Sequence, residues 1–310
     1  MRIRLFIIFF GFIVILVCPA TSFAKAQITN DLITVTPSLL FLDLQKDKPE
    51  ADYYYKNDTN QIVVVSLSAT DFRPLEDGYK ISFIQGKDAA SYKYRLSSWI
   101  TFEKNTLIIP SHSSETVKVF INKNELTPGG HYAIIAANLS EDQQKGNLHI
   151  QGILSSFLFV RTNTGKETEE ATIASLIPLQ QFFEFPQAIS LRFYNTGNTE
   201  LIPYGEIQIK DFFGNIVSTG IINDASSMTL PESIKKYIVL IHNTNVILLP
   251  GIYTVTTHLH YGKAEKIINK TQSFFSFGSP ISILAVLIVF PTCFFLSYLL
   301  LGKKLKNKKV

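Results

Sequence analysis

Residues 281–301 form an unbroken run of 21 positions without a charged side chain, and five lysines follow it: Lys303, Lys304, Lys306, Lys308 and Lys309. A helix of that length, at about 1.5 Å per residue, reaches roughly 31 Å, the thickness of a bilayer's hydrocarbon core. A soluble core has no use for an element that is apolar on every side over such a length. The run therefore predicts one membrane-spanning helix over 281–301. The lysines mark 302–310 as a cytoplasmic tail, since cationic residues are retained inside. Pro280 stands where a missing N–H costs nothing, and Pro291 predicts a kink that neighbouring groups in a membrane helix tolerate.

The other end carries a matching signal. Arg2 and Arg4 precede the apolar run Leu5–Val17, and small and polar residues lead to Ala24-Lys25-Ala26. That order predicts a secretory signal peptide over 1–26, cleaved after Ala26 or Ala24. Leader and anchor together place everything between them outside the cell, in a single-pass protein of the cell membrane.

Charge and cysteine usage agree with this division. Eight of the 29 Lys and Arg residues lie at the two ends, which leaves 21 in the middle against all 25 Asp and Glu, a net −4. The overall +4 thus arises from topology signals, and a basic nucleic-acid-binding surface is not indicated. The two cysteines, Cys18 and Cys293, fall in the leader and the span. The outer region must hold together without disulfides, through packing alone.

Within that region period-two alternation dominates. Val117–Ile121, Glu206–Lys210 and Tyr253–Tyr261 read as half-buried strands, the last with Tyr253, Val255, Leu259 and Tyr261 on one face. Turn residues punctuate them at Asn57–Asn60, Glu76–Gly78, Pro128–Gly130, Asn195–Asn198, Phe213–Asn215 and Pro250–Gly251. The expected fold class is all-β: two tandem immunoglobulin-like β-sandwiches over 29–163 and 165–277, followed by the single helix. The boundary falls at Asn163–Lys166. Trp99 is expected to fill the core of the first sandwich, Gly129 and Gly130 to permit a tight turn, and Asn195–Asn198 to close a hairpin.

Enzymatic signatures are lacking in the sequence. It holds no Gly-rich phosphate loop, no His-Glu-x-x-His, no Cys pair and no nucleophile elbow, so no catalytic, cofactor-binding or metal-ligating residue is assigned and no enzyme is expected. His258 and His260 share a strand face, but no third ligand lies nearby in sequence. The candidate binding residues are tyrosines of the first sandwich: Tyr53, Tyr54, Tyr55, Tyr79, Tyr92 and Tyr94. On one sandwich face they would stack on sugars or anchor a protein, and Tyr54 must point opposite to Tyr53 and Tyr55. The alternative is cross-strand packing that only stabilises the sheet.

Ser98-Trp-Ile-Thr-Phe102, Leu107-Ile-Ile-Pro110, Thr116–Ile121 and Leu126-Thr-Pro-Gly-Gly-His-Tyr-Ala133 together resemble the N-terminal domain of WxL-interacting proteins. Asn195-Thr-Gly-Asn198, Pro203–Ile209, Asp211–Asn215 and Leu249–Val255 resemble a broad group of bacterial membrane-anchored immunoglobulin-like domains. The resemblance implies an outer domain that associates with peptidoglycan or partner surface proteins, and a membrane-near domain that binds other proteins. The leading expectation is a non-catalytic surface scaffold bound to cell wall or to surface proteins. Two alternatives stay open: a chaperone-like module whose exposed sheet edge accepts a strand of an exported protein, and an accessory subunit of a membrane complex.

Overall fold

The structure is a computed structural model describing residues 32–306 except 79, 85, 142–151, 182–183 and 244–247, so the expected leader and Tyr79 lie outside the described residues. The first sandwich comprises β1 (Ile33–Thr36), β2 (Leu39–Asp43), β3 (Glu50–Asn57), β4 (Val63–Pro74), β5 (Ile81–Ile84), a short helix α1 (Lys87–Ser91), β6 (Ile100–Phe102), β7 (Thr106–Ile109), β8 (Ser113–Ile121), β9 (Gly130–Glu141) and β10 (Gly152–Arg161). One sheet has the order β1-β3-β8-β6; the other runs β2-β10-β9-β4-β5, with β7 also paired to β4. The chain passes from the first sheet to the second at the cis Thr36–Pro37 peptide, and β2 then runs parallel to β10.

Alternation decides what is buried. On β3, Tyr53 and Tyr55 point inward and are fully buried, while Tyr54 between them is exposed. Tyr53 sits directly across from Val117 of β8 and packs in one cluster with Val63, Val65, Leu107, Ile109 and Leu158 of the facing sheet. Burying a ring of this size removes on the order of 200 Å² from water, at most about 5 kcal/mol per side chain. Trp99 departs from its expected place in the core. It closes a 3₁₀ turn (Ser97–Trp99) just before β6, packs half-buried against the rim of the core, and carries the Arg95 guanidinium 5.3 Å from its ring centre.

The second sandwich comprises β11 (Ala171–Leu179), β12 (Ala188–Asn195), β13 (Tyr204–Lys210), β14 (Ile216–Ile222), β15 (Ser233–Leu240), β16 (His242–Asn243), β17 (Gly251–Tyr261) and β18 (Lys266–Ser276). Its sheets run β11-β12-β15 and β16-β14-β13-β17-β18. The inward row of β17 is Tyr253, Val255, Thr257, Leu259 and Tyr261, all buried. Asn195–Asn198 is not a hairpin turn: it links β12 of the three-stranded sheet to β13 of the five-stranded one. Its asparagine has a different task. Asn195 Nδ2 donates to Thr199 O (2.7 Å) and Thr229 O (3.0 Å), and its Oδ1 accepts from Gly197 N (3.0 Å). Asn57 does the same after β3, donating to Gln61 O, Ile109 O and Pro110 O while accepting from Thr59 N. Both are fully buried, and each satisfies the backbone where the chain changes sheets.

A three-residue joint after β18 leads to the helix α2 (Pro280–Lys306). The expected span lies inside α2. Among the described residues no helix is long and apolar enough to cross a membrane, and the side chains of 280–281, 285–286 and 299–306 lie outside the described residues.

Candidate functional site

The structure does not gather the candidate tyrosines on one exposed face. Tyr53 and Tyr55 are core, which corrects their expected place on a binding surface: the same alternation that exposes Tyr54 turns them inward. Tyr54 stands alone, opposite Thr36 and Thr116. Tyr92 and Tyr94 lie elsewhere, edge to face at 5.9 Å, in a second apolar cluster with Phe72, Tyr132, Ile134, Phe157 and Phe159. Burial pushes the Tyr53 hydroxyl up to about 12 and raises that of Tyr94 to about 12 as well, in the latter against the opposing pull of Lys93.

This second cluster marks the outer face of the β2-β10-β9-β4-β5 sheet. The strand register places Phe41, Phe159, Tyr132, Phe72 and Phe83 in one row across all five strands. Leu39, Phe157 and Ile134 form the row beside it. Phe41 stacks on Phe159 at 4.9 Å, and Tyr132 and Phe72 each meet Phe159 edge-on. Domain two covers part of this face, because Leu230 and Met228 pack into the cluster. The rest forms an open cleft of ≈ 390 Å³ between the domains, lined by Leu39, Phe72, Phe157 and Phe159 on one side and Met228 and Leu230 on the other. Leu39 in the cleft, and Phe41 and Phe83 further along the same sheet face, remain 43–55% exposed. A sheet face this aromatic and only half covered is suited to an apolar ligand.

Polar contacts fix the domains on either side. Arg161, at the end of β10, makes an ion pair with Glu200 through Nε at 3.1 Å. Its Nη1 donates to Glu169 Oε1 and its Nη2 to Glu200 O, each at 3.1 Å. Tyr132 donates its hydroxyl to the other Glu200 oxygen at 3.1 Å. Burial raises the Glu200 carboxyl above its ordinary range, against the lowering effects of Arg161 and Tyr132. Around this centre Lys263 pairs with Asp43, Lys93 with Glu232 and Arg192 with Asp77, each across the junction. The backbone joins as well: Gly130 N donates to Asn198 O at 2.8 Å. Gly129 stands at φ +127°, and a Cβ there would lie 2.4 Å from Asn198 O, so this close approach requires glycine.

One further feature adjoins the cleft. β2 pairs with β10 only over Phe157–Arg161. Phe157 N donates to Ser38 O and Arg161 O accepts from Leu44 N, so the odd-numbered residues of β10 direct their backbone groups toward β2. By alternation the N–H and C=O of Ile153 and Ser155 point the same way, beyond the end of β2, where no described strand pairs with them. The outward Ile153 side chain is 67% exposed.

No family model matches this sequence, and no curated protein matches it. Solved structures similar to it include a chain of the chaperone–tip adhesin complex of CFA/I fimbriae biogenesis, at 10% identity and TM-score 0.42, covering 80% of this chain and 100% of that one. The class 5 fimbriae chaperone CfaA is 11% identical at TM-score 0.42, covering 78% of this chain and 98% of its own. The chaperone–tip adhesion subunit pre-assembly complex CsuC–CsuE from archaic chaperone-usher Csu pili of Acinetobacter baumannii is 10% identical at TM-score 0.40, covering 78% and 97%. Likeness at this level assigns no function.

Among the described residues no three His, Cys, Asp or Glu side chains gather into a metal site. His260 instead stacks on Tyr204 at 5.3 Å. The cleft left a trace in the sequence that period-two reading passes over. Tyr132–Ala137 and Phe157–Val160 are apolar at successive positions, and a strand apolar on both faces needs cover on both. The charged residues of the junction left no local trace, since Arg161 and Glu200 stand 39 positions apart.

Proposed function

We propose that this protein is a non-catalytic binding module, held by α2 with residues 32–279 on the outer side of a cell membrane. It takes an extended, apolar-patterned segment of an exported or surface protein along the free stretch of β10 and into the interdomain cleft. The observation that carries this reading is the continuity of the two features. Among the described residues no strand pairs with the outward backbone of Ile153 and Ser155, and this stretch runs directly into the half-covered Phe157–Phe159 row. An added strand would gain main-chain hydrogen bonds from the edge and side-chain specificity from the cleft. This favours the strand-accepting alternative over a cell-wall scaffold, because the described tyrosines expected to meet peptidoglycan are divided among the core, the second apolar cluster and a lone exposed Tyr54.

Ser155→Pro tests it. Proline removes the outward N–H while leaving the β9-facing ladder untouched, as edge positions allow. A displayed library of extended peptides is panned against the purified full chain and against the variant. The expected result is enrichment of alternating apolar sequences by the parent and their loss with Ser155→Pro at unchanged thermal stability. Equal enrichment by both proteins, or no enrichment while the parent co-sediments with purified peptidoglycan, would return the scaffold reading to first place.

A further inference from the structure

The two most exposed large apolar side chains among the described residues are neighbours: Phe212 at 81% and Phe213 at 79%, at the tip of the turn between β13 and β14. A flexible loop would leave such rings little purpose, but this turn is built to hold them. Asp211 Oδ1 accepts from Phe213 N (2.9 Å) and Asn215 N (2.8 Å), and its Oδ2 accepts from Asn215 Nδ2 (3.1 Å). Gly214 N donates to Asp211 O at 3.0 Å, with Gly214 in the left-handed region at φ +87°. The carboxylate is thereby occupied by the donors of its own turn, and the two rings stand edge to face at 5.8 Å.

The register fixes where this tip points. Lys210 pairs with Thr254, Thr254 with Ser273, and Gly251 with Ser276. The Asp211–Asn215 turn is therefore at the end of the sheet where β18 runs out toward α2, two strand spacings or about 10 Å across. Ile252 and Phe275, paired across β17 and β18, are exposed on the outer face at that end, and Leu249 and Phe277 are exposed beside them. α2 does not leave on a loose tether. Ser279 N donates to Leu248 O at 3.0 Å, and Ser282 in the first turn of the helix is 1% exposed. The body thus sits directly on the start of the helix.

We infer that the Phe212–Phe213 turn is a lipid-contacting tip, which inserts into the interfacial layer of the membrane that α2 enters and seats domain two against the bilayer. The occupant of this apolar end is membrane lipid rather than a protein because a helix beginning 21 uncharged residues at 281 brings the hydrocarbon boundary to the same level. Aromatic rings held at that depth anchor a body to the interface and fix its tilt. This inference rests on the reading of α2 as a membrane span.

The test uses the full chain in vesicles of phosphatidylethanolamine and phosphatidylglycerol. Trp99 is the only tryptophan, so Trp99→Phe with Phe213→Trp places a single indole at the tip. With lipids brominated near the carboxyl end of the acyl chain, the indole at 213 is expected to shift its emission to the blue and lose most of its intensity. A second readout leaves Trp99 in place. The two native cysteines are replaced by serine and Phe212→Cys carries a nitroxide, which should be more accessible to oxygen than to a water-soluble nickel complex. Vesicles that retain the protein through an alkaline wash, with water-like emission and nickel-accessible nitroxide, overturn the tip and leave the anchor standing. Protein stripped by the wash overturns both.

Discussion

Replacing Arg161 by methionine should uncouple the two domains, and the structure sets the size and the pH dependence of the effect. The side chains of Arg161, Glu169 and Glu200 are each only 12–15% exposed, so solvent screens their pairing weakly. Methionine keeps the stem's packing but leaves two carboxylates without their cation. Removing one partner of a buried pair costs about 3–5 kcal/mol, and the partial exposure here points to about 3. Burial already holds the Glu200 carboxyl above its ordinary range with Arg161 present, and without the guanidinium it rises further. A group with a raised folded pKa binds protons more tightly when folded, so its contribution to stability falls as pH rises from the unfolded to the folded value. The penalty of Arg161→Met is therefore full at neutral pH and shrinks as acid neutralises Glu200. Calorimetry of the detergent-solubilised chain should show one transition for the parent, and for the variant an earlier, split one that converges on the parent as the pH is lowered. Adding Glu200→Gln should recover most of the loss, since the amide still accepts from Tyr132. A variant that unfolds like the parent, or one whose deficit is the same in acid, would refute the coupling of charge and docking.

Two further outcomes follow from the same geometry. Asn195→Ala removes the side-chain donor to Thr199 O, while Thr229 O keeps Leu201 N and Gly197 N keeps Glu170 O, and should cost about 1–3 kcal/mol, read as a lower urea midpoint at unchanged slope. Glu167 behaves opposite to Glu200. Burial pushes its carboxyl up, but donors from Thr164 N–H and from the Thr162 and Thr164 hydroxyls outweigh that and hold it at about 2. Its stability is present above the unfolded value of 4.5 and lost as pH falls toward 2. Glu167→Gln should flatten that acid limb by about 1 kcal/mol after allowance for solvent screening, measured by denaturant titration across the range.

The division into two sandwiches was legible because burial on one side writes itself as period two. Tyr253, Val255, Leu259 and Tyr261 share a face as expected. Tyr54 faces away from Tyr53 and Tyr55 for the same reason. Alternation says which residues share a face but not which face meets water. Tyr53 and Tyr55 are therefore core while Tyr54 is exposed, an assignment that depends on β4, β7 and β10 of the facing sheet lying over one side of β3. Nor does a local pattern carry the docking of Leu230 into the aromatic cluster of the first sandwich, since that packing joins separate domains. The equivalence of Asn57 and Asn195 was present as two Asn-led turns, yet only the buried carbonyls they satisfy give it meaning.

The junction and the cleft depend on each other. An apolar groove between two domains keeps its shape only if the domains hold still, and hydrophobic contact through Leu230 and Met228 is non-directional. Direction comes from the Arg161–Glu200–Tyr132 contacts and from the close approach of Gly129 to Asn198. Those contacts share β9 and β10 with the aromatic row, so a shift of domain two by a single ångström would alter the ionic geometry and the opening of the cleft together. Arg161→Met consequently carries a second expected result. Peptides selected by the parent should bind the variant more weakly at neutral pH and recover in mild acid, in step with its stability. Weak binding that persists once the domains have redocked would show that Arg161 contacts the ligand directly instead of setting the cleft.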